Sequence, residues 1–289
     1  MRHSTQPSGR VGRSEHRADA QRPGDHHFVD LEAFQHLARG LTFDVVRCAE
    51  VLDHALCGLN KASGYPDRLV TWVSAGGLAA GPCPTFDRGR LLIDVVQAVN
   101  PQGESGCFAT VLGKSDERET APAVFLSMHS PTLDVPMRTE LPLRALLRGN
   151  PPLAGTYTLY LHALLASTGH DYVYYGVTKR GWNLRFSEHT RAAVAQKSKR
   201  LLARTLNDLV DARVAELSGA ADERPKLRSL VNAICGVGLT KADALEAEEA
   251  MVDKYSLASK HSYGLNMIPG GLAGLRHAGR FARKSRRGA

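Results

Sequence analysis

The 289-residue sequence contains no long hydrophobic run. No stretch approaches the run of about 18 consecutive apolar residues that a membrane-spanning helix requires. The first 27 residues also lack the apolar core of a secretory signal peptide. We therefore expect a cytoplasmic, nucleoid-associated protein that is neither secreted nor bound to a membrane.

Cysteine is scarce, and several common ligand-binding motifs are missing. The five cysteines are odd in number and none belongs to a Cys-x-x-Cys pair, which argues against a small disulfide scaffold and against a zinc finger. Between residues 68 and 147 there is no Gly-rich phosphate-binding loop, no Gly-x-Gly-x-x-Gly fingerprint and no His-Glu-x-x-His motif. Nucleotide-binding folds and zinc proteases of those types are therefore not indicated.

Positive charge is in excess and unevenly distributed. The chain has 37 Lys and Arg against 29 Asp and Glu, a net charge of +8, and its pI is about 9.4. Between residues 179 and 213 there are nine basic residues and three acidic ones. Clustered positive charge favours a polyanionic partner, so we expect DNA, either double-stranded or branched. Nothing in the sequence indicates the oligomeric state.

The sequence pattern divides the chain into four parts. Residues 1–27 are polar and aperiodic and predict a disordered basic tail, and residues 276–289 predict a second basic tail. Residues 28–150 predict an N-terminal α+β domain, because helical periodicity over 28–59 precedes apolar runs of strand length at 69–73, 91–96, 107–112 and 123–128. No motif indicates the role of this domain. A second domain is predicted over residues 152–275.

The second predicted domain opens with a pattern typical of a β-hairpin. One strand shows the period-2 alternation of a half-buried strand, and a turn-rich segment at 167–171 separates it from an aromatic and β-branched strand at 172–178. A helix is predicted next, with Asn183 as its cap and with Arg185 and His189 four residues apart on one face. In the first strand, Thr156, Thr158 and Tyr160 alternate with Tyr157, Leu159 and Leu161.

One acidic residue in the later part of this domain lies on a predicted buried helix face. After a charged helical insertion over 190–228 and a third predicted strand at 230–238, Thr240 and Asp243 resemble a capping box, which predicts a helix start. A carboxylate in a buried stripe is costly unless it is paired or coordinates a cation, so Glu248 is the predicted metal ligand. Glu248 lies at the centre of an apolar stripe formed, at about 100° per residue, by Leu245, Met251, Val252 and Tyr255.

These residues resemble, in order, the motifs of the GIY-YIG nuclease superfamily. Gly155-Thr156-Tyr157 stands where the family has Gly-Ile-Tyr, and Tyr174-Tyr175-Gly176 stands where it has Tyr-Ile-Gly. Arg185 and His189 follow at about the expected distance, and Glu248 and Asn266 match the later glutamate and asparagine. The sequence departs from the pattern in two places, since Thr156 replaces an aliphatic residue and the spacing from Gly176 to Arg185 is one residue long.

The resemblance implies a small α+β module with a short antiparallel or mixed three-stranded sheet flanked by helices. It also implies a divalent-metal-dependent endonuclease that hydrolyses DNA phosphodiester bonds, with one Mg²⁺ or Mn²⁺ ion bound by Glu248. Arg185 would bind the scissile phosphate, Tyr157 or Tyr174 would take a proton from the attacking water, and His189 would bind phosphate or relay a proton. The supporting residues of the family pattern are Gly155, Gly176 and Asn266.

Two alternatives remain open at this stage. A nucleic-acid-binding or regulatory protein that keeps the fold without cutting would show salt-sensitive DNA affinity, independent of magnesium and of Glu248. An enzyme of unrelated chemistry in residues 28–150 would use the C-terminal module as a tether. Whether the target is DNA or RNA, and whether one or both strands are cut, does not follow from the sequence.

Overall fold

The computed structural model of the chain describes residues 26–99, 105–114, 121–130, 132–196 and 198–277. The two predicted basic tails, 1–27 and 276–289, lie outside these residues except for their two innermost positions each. Within the described ranges, no helix combines the length and the apolar character that crossing a membrane requires.

One mixed sheet forms the framework of the fold. Its strands are β1 (Arg90–Val99), β2 (Ser105–Lys114), β3 (Ala123–Ser130), β4 (Val135–Pro142), β5 (Tyr157–Ala166), β6 (Asp171–Thr178) and β7 (Leu227–Leu239). The seven strands have the spatial order β2-β1-β3-β4-β7-β5-β6. The β1–β3 and β4–β7 pairs are parallel and the other neighbours are antiparallel. The α+β class is therefore confirmed, but the sheet is larger than the three strands predicted.

Helices cover mainly one face of this sheet. They are α1 (Leu31–Ala38), α2 (Val45–Ser63), α3 (Tyr65–Ser74), α4 (Trp182–Val194), α5 (Leu201–Leu217) and α6 (Lys241–Met251), and short 3-10 turns occur at Gly77–Ala79 and Leu143–Leu146. Helix α6 continues into a π-helical turn at Val252–Ser256, and residues 271–277 are also helical. The α4 and α5 helices lie within the region predicted to carry Arg185, His189 and the charged helical insertion.

The predicted strand at residues 69–73 is wrong, because these residues belong to α3. Gly64, with a φ of 63°, ends α2, and Pro66 lies in the first turn of the new helix, where proline is favoured. Leu69, Trp72 and Val73 are buried at helical spacing. The run is short and apolar, and a short apolar run does not distinguish a strand from a buried helix segment.

The two predicted domains share one sheet and one core. Residues 137–140 of β4 pair in parallel with residues 230–233 of β7, so the sheet continues across the predicted boundary at residue 150. The buried indole of Trp182 in α4 donates a hydrogen bond of 2.7 Å to the carbonyl oxygen of Leu37 in α1. The division at residue 150 stays a prediction, and the second half is packed against the first.

The position of β6 determines which side chains meet at the end of the sheet. This strand is the outermost one beside β5. On one face, Leu164 of β5 packs with Ala193 of α4 and Leu202 of α5. On the other face, Tyr175 of β6 packs with Val252 after α6. The outer edge of β6, where Val173 pairs with Tyr263 and Leu265, therefore lies between helices that carry most of the predicted site residues.

Candidate active site

Strands β5 and β6 pair so that their even-numbered residues face α4 and α5. Tyr160 lies opposite Gly176, and His162 lies opposite Tyr174. The Tyr160 side chain is 1% exposed, and a Cβ atom on Gly176 would lie 2.5 Å from its Oη atom. The absence of a side chain at Gly176 therefore lets the Tyr160 hydroxyl lie over β6.

The N-terminus of α4 differs from the sequence prediction. Helix α4 begins at Trp182 and its N-cap is Gly181, with a φ of 105°, so the prediction of Asn183 as the cap is wrong. Asn183 is instead buried inside the first turn, where its Nδ2 atom would be 2.1 Å from a Cβ on Gly40. Left-handed backbone favours glycine, which explains why the cap precedes the polar residue that the sequence suggested.

Arg185 extends from α4 towards Tyr160. Its guanidinium lies close enough to the Tyr160 hydroxyl for each group to shift the pKa of the other. It also forms an ion pair with Glu188, which accepts a bond of 2.9 Å from Arg180. Burial works against the charge of Arg185, but Tyr160 and Glu188 together raise its pKa. A permanently charged guanidinium is thus held beside the Tyr160 hydroxyl.

Glu248 reaches the same edge of the sheet from α6. Its Oε1 atom accepts a hydrogen bond of 3.2 Å from the Val177 N–H of β6, and its Oε2 atom accepts one of 3.0 Å from the Gly271 N–H. Burial raises the pKa of Glu248, while the two backbone N–H groups and Arg185 oppose that rise. Each carboxylate oxygen keeps a further lone pair, because a carboxylate offers about four acceptor positions.

The apolar stripe around Glu248 is shorter than predicted. Thr240 caps α6 as expected, because its side chain accepts the Asp243 N–H, and Val252 is fully buried. Tyr255, however, is 43% exposed. The π-helical turn at Val252–Ser256 adds a residue to the turn and rotates Tyr255 away from the stripe.

The two phenols of the site lie close to each other, with Tyr160 buried and Tyr174 partly buried. The ring centroids of Tyr160 and Tyr174 are 6.5 Å apart, and each phenol affects the pKa of the other. Burial raises the pKa of Tyr160, Tyr174 adds to the rise, and Arg185 opposes it. Burial, and then the charge of Glu248, raise the pKa of Tyr174. Both hydroxyls are therefore protonated at neutral pH in the free protein.

Tyr157 is not brought together with the other predicted residues. It is the first residue of β5 and lies opposite Leu239 of β7. An odd-numbered position on β5 faces away from the side chain of Tyr174, and Tyr160 takes the place near Arg185 instead. The cluster of Tyr160, Tyr174, Arg185, His189 and Glu248 is called the edge site below.

Two histidines lie next to Tyr174, namely His189 of the edge site and the buried His162. The ring of His189 is 5.1 Å from that of Tyr174 and 5.9 Å from that of His162. His162 is fully buried, and its Nδ1 atom lies 2.7 Å from the Oδ1 atom of Asn232. The Nε2 atoms of both histidines are buried without a hydrogen-bond partner in the part of the chain that the structure describes. His162 was not identified from the sequence.

Burial keeps both imidazoles neutral. It lowers the pKa of His162 to about 3 and that of His189 to about 4, where Arg185 adds to the effect. His189 at neutral pH is therefore an uncharged group. It can exchange a proton or form a neutral hydrogen bond, but it does not attract phosphate by charge.

Because the folded state disfavours protonation of His162 and His189, we expect the protein to lose stability in weak acid. The folded state favours their neutral forms, so their contribution is present above the ordinary pKa of 6.5 and is lost as the pH falls towards about 4 and about 3. Each extra proton bound by the unfolded chain changes the slope by about 1.4 kcal/mol per pH unit. We expect the free energy of unfolding of His162→Gln to fall less steeply between pH 6 and pH 4 than that of the wild type.

Denaturant unfolding of both proteins at several pH values measures this slope. The double variant His162→Gln/His189→Gln should be the least sensitive of the three. Parallel curves for all three proteins would show that the imidazoles do not resist protonation in the folded state.

The two remaining supporting residues have different surroundings. Asn266 is buried, and its Oδ1 atom accepts bonds from the Tyr175 N–H (3.0 Å) and the Ser256 hydroxyl (2.7 Å), while its Nδ2 donates to the Tyr175 carbonyl (2.9 Å). Asn266 thus satisfies the backbone of β6 next to the Glu248 contact. Gly155 has a φ of 81° and no atom near its missing Cβ, so it permits a left-handed turn before β5.

A cation at the edge site would have only one carboxylate ligand. No group of three or more His, Cys, Asp or Glu side chains is arranged to hold a metal ion within the described ranges. Magnesium often binds one or two carboxylates and completes its shell with water and substrate phosphate. The donor set around Glu248 fits a cation of this kind and does not fit a site built from protein ligands alone.

The edge site brings an arginine, two phenols, a neutral imidazole and a half-buried carboxylate to one end of the sheet. Sequence motifs alone identified four of its five residues, and Tyr160 was missed although its strand was predicted. Comparison with family models, with curated proteins and with solved structures found no match for this chain.

Proposed function

We propose that the chain is a divalent-metal-dependent endonuclease that hydrolyses DNA phosphodiester bonds at the edge site. The observation that carries this proposal is the convergence of Tyr160, Tyr174, Arg185 and Glu248, which come from β5, β6, α4 and α6. Hydrolysis of a phosphodiester requires a group that binds the phosphate charge, a proton acceptor and a stabilised leaving oxygen. These four side chains supply groups suited to each requirement.

The proposal includes a GIY-YIG-like module within the larger sheet. Its three strands would be β5, β6 and β7, and its flanking helices would be α4 and α6. The order strand, strand, helix, strand, helix is the order that the resemblance implies, with α5 as the insertion. The parallel β4–β7 pairing would attach this module to the N-terminal strands, whose role would be target or partner binding.

Arg185 is the proposed phosphate-binding residue. A planar guanidinium that keeps its charge binds phosphate oxygens with two parallel N–H groups. The contact with Glu188 orients the side chain before substrate arrives. The same charge would stabilise the negative charge that develops in the transition state.

Tyr160 is the proposed proton acceptor, with Tyr174 beside it. Its hydroxyl interacts with Arg185 and lies over Gly176 at the β6 edge. A divalent cation bound by Glu248 would supply positive charge and a more acidic water. Tyr160 must release its own proton to solvent before it accepts one from water; burial opposes that loss and Arg185 favours it. His189, being neutral, would exchange protons with Tyr174.

Cleavage of plasmid DNA tests the proposal. We expect full-length protein to nick plasmid with magnesium and to stop when the metal is chelated. Arg185→Gln should lower the rate about 10²-fold to 10³-fold, the cost of removing one preorganised charge stabiliser, and Glu248→Gln should remove the magnesium dependence. Glu246→Gln is the matched control, because Glu246 is exposed on the same helix. Equal nicking by all four proteins would remove the catalytic assignment.

A second candidate function is a nucleic-acid-binding protein that does not cut. Both oxygens of Glu248 already accept backbone N–H bonds, so this carboxylate has a structural role that needs no cation. The candidate predicts DNA binding that is unchanged by magnesium and by Glu248→Gln, with no cleavage under any condition. The same set of variants therefore separates the two functions.

A further inference from the structure

The N-terminus of α5 is held beside the edge site. The Ser198 N–H donates a bond of 2.9 Å to the carbonyl of Ala192 near the end of α4. The Leu201 N–H lies 3.4 Å from the sulfur of Met267, the residue after Asn266. Leu202 belongs to the buried cluster against which Tyr174 packs. The start of α5 is thus fixed between α4 and the segment that borders β6.

Arg200 lies at this fixed position. It is the N-cap of α5, and its side chain does not cap the helix, so the positive end of the helix dipole lies beside it. The Arg200 side chain is exposed and forms no ion pair or hydrogen bond with the residues that the structure describes. Arg180 and Arg185 are paired with Glu188, whereas Arg191 and Arg204 are exposed like Arg200 and have no ion pair with the described residues.

The positive charge of Arg200 affects the pKa of two residues of the edge site. Its proximity lowers the pKa of Tyr174, after burial and Glu248 have raised it. Arg200 also contributes to the lowered pKa of His189, behind burial and Arg185. Arg185 and Arg200 therefore both lie near enough to Tyr174 to lower its pKa, one from α4 and the other from the start of α5.

We propose that Arg200 is a second phosphate-binding residue, which holds a phosphate group next to the scissile one. This inference rests on the proposed function. It defines a path in which one nucleic-acid strand crosses Tyr174 with one phosphate on Arg185 and another on Arg200. An arginine already held by protein acids loses part of that pairing when it binds phosphate, whereas Arg200 has no such pairing to give up.

The salt dependence of binding and the cleavage kinetics test the role of Arg200. Binding of full-length protein to a double-stranded oligonucleotide is measured across salt concentrations without divalent ions, and cleavage is then measured with magnesium. For Arg200→Gln we expect the slope of log K against log salt to fall in magnitude by about 1. We expect KM to rise about tenfold with little change in kcat. Arg200→Lys should restore the slope, because lysine is also a phosphate-binding cation.

Arg224→Gln is the charge-matched control. Arg224 is exposed and pairs with Asp222, and it precedes β7 at the end away from Ile234, which lies opposite Tyr160. Losing one charge there should leave the salt slope and KM as in the wild type. An equal change in slope for Arg200→Gln and Arg224→Gln would indicate only an effect of net charge and would overturn the inference.

The outcomes separate this inference from the proposed function. If the wild type cleaves DNA and Arg200→Gln keeps its salt slope and KM, the Arg200 contact is wrong and the endonuclease proposal stands. If the slope falls but no protein cleaves, the phosphate contact stands and the endonuclease proposal fails. If the wild type binds no nucleic acid, both fail.

Discussion

Tyr160→Phe will lower the rate of DNA cleavage by about 10²-fold to 10⁴-fold, the range expected when a general acid or base is removed, while Tyr157→Phe will leave the rate near that of the wild type. The Tyr160 hydroxyl interacts with Arg185, and Tyr157 lies at the opposite parity of β5. Phenylalanine keeps the ring in both variants, which is buried for Tyr160 and partly exposed for Tyr157. The difference in rate therefore reports the hydroxyl alone.

Single-turnover cleavage of a labelled oligonucleotide measures this difference. Tyr174→Phe identifies which phenol accepts the proton, because only the proton acceptor should change the pH dependence of kcat. Thermal unfolding of the three variants controls for stability. A wild-type rate for Tyr160→Phe would remove it as the proton acceptor, and a large loss for Tyr157→Phe would return that role to the motif tyrosine.

The parity of the hairpin shows how Tyr160 follows from the sequence. When the turn between two antiparallel strands has an odd number of residues, as at 167–171, even-numbered residues of one strand pair with even-numbered residues of the other. Tyr174 then shares a face with even-numbered residues of the first strand, as the observed pairing of Tyr160 with Gly176 does. The sequence motif led to Tyr157 as the catalytic tyrosine of the first strand. The pairing counted from the turn instead places Tyr160 on the same face as Tyr174.

Local patterns predicted the elements that local interactions determine. The cap of α6 at Thr240 and the strand β5 depend on neighbours within a few residues, and both were visible in the sequence. The predicted half-buried alternation of β5 is wrong, because both of its faces are covered and Thr158, Leu159 and Tyr160 are all buried. The β4–β7 pairing joins segments about 90 residues apart, and no periodicity encodes such a partner. For this reason the size of the sheet was underestimated.

The hydrogen bonds of Glu248 also lay beyond sequence reasoning. The apolar stripe predicted a buried carboxylate, whereas Glu248 is half-buried. The stripe also did not indicate that Val177 and Gly271 donate to it. Those donors depend on β6 being an edge strand and on the chain returning past α6 at residue 271. Tyr255 was placed wrongly because the α-helical period of about 3.6 residues per turn does not hold through the π-helical turn.

Gly176→Ala will lower the free energy of unfolding by about 1 to 3 kcal/mol, the usual cost of overpacking a core, and will reduce cleavage as strongly as Tyr160→Phe. The added Cβ would lie 2.5 Å from Oη and 2.7 Å from Cζ of Tyr160. The ring of Tyr160 is 1% exposed, so it has no open space into which it can move. The strain must therefore displace either the hydroxyl from Arg185 or the strand from Glu248.

Denaturant unfolding and cleavage of Gly176→Ala measure both effects, with Gly58→Ala as the matched control. Gly58 lies in α2 with no neighbouring side chain within 4 Å of a new Cβ, so alanine there should raise stability by up to about 1 kcal/mol. In the double variant Tyr160→Phe/Gly176→Ala the contact at Oη is gone. Its loss of stability should be smaller than the sum of the two single losses, because contacting residues are not additive. Additive losses, or a fully stable and active Gly176→Ala, would mean that the hydroxyl of Tyr160 does not lie over Gly176.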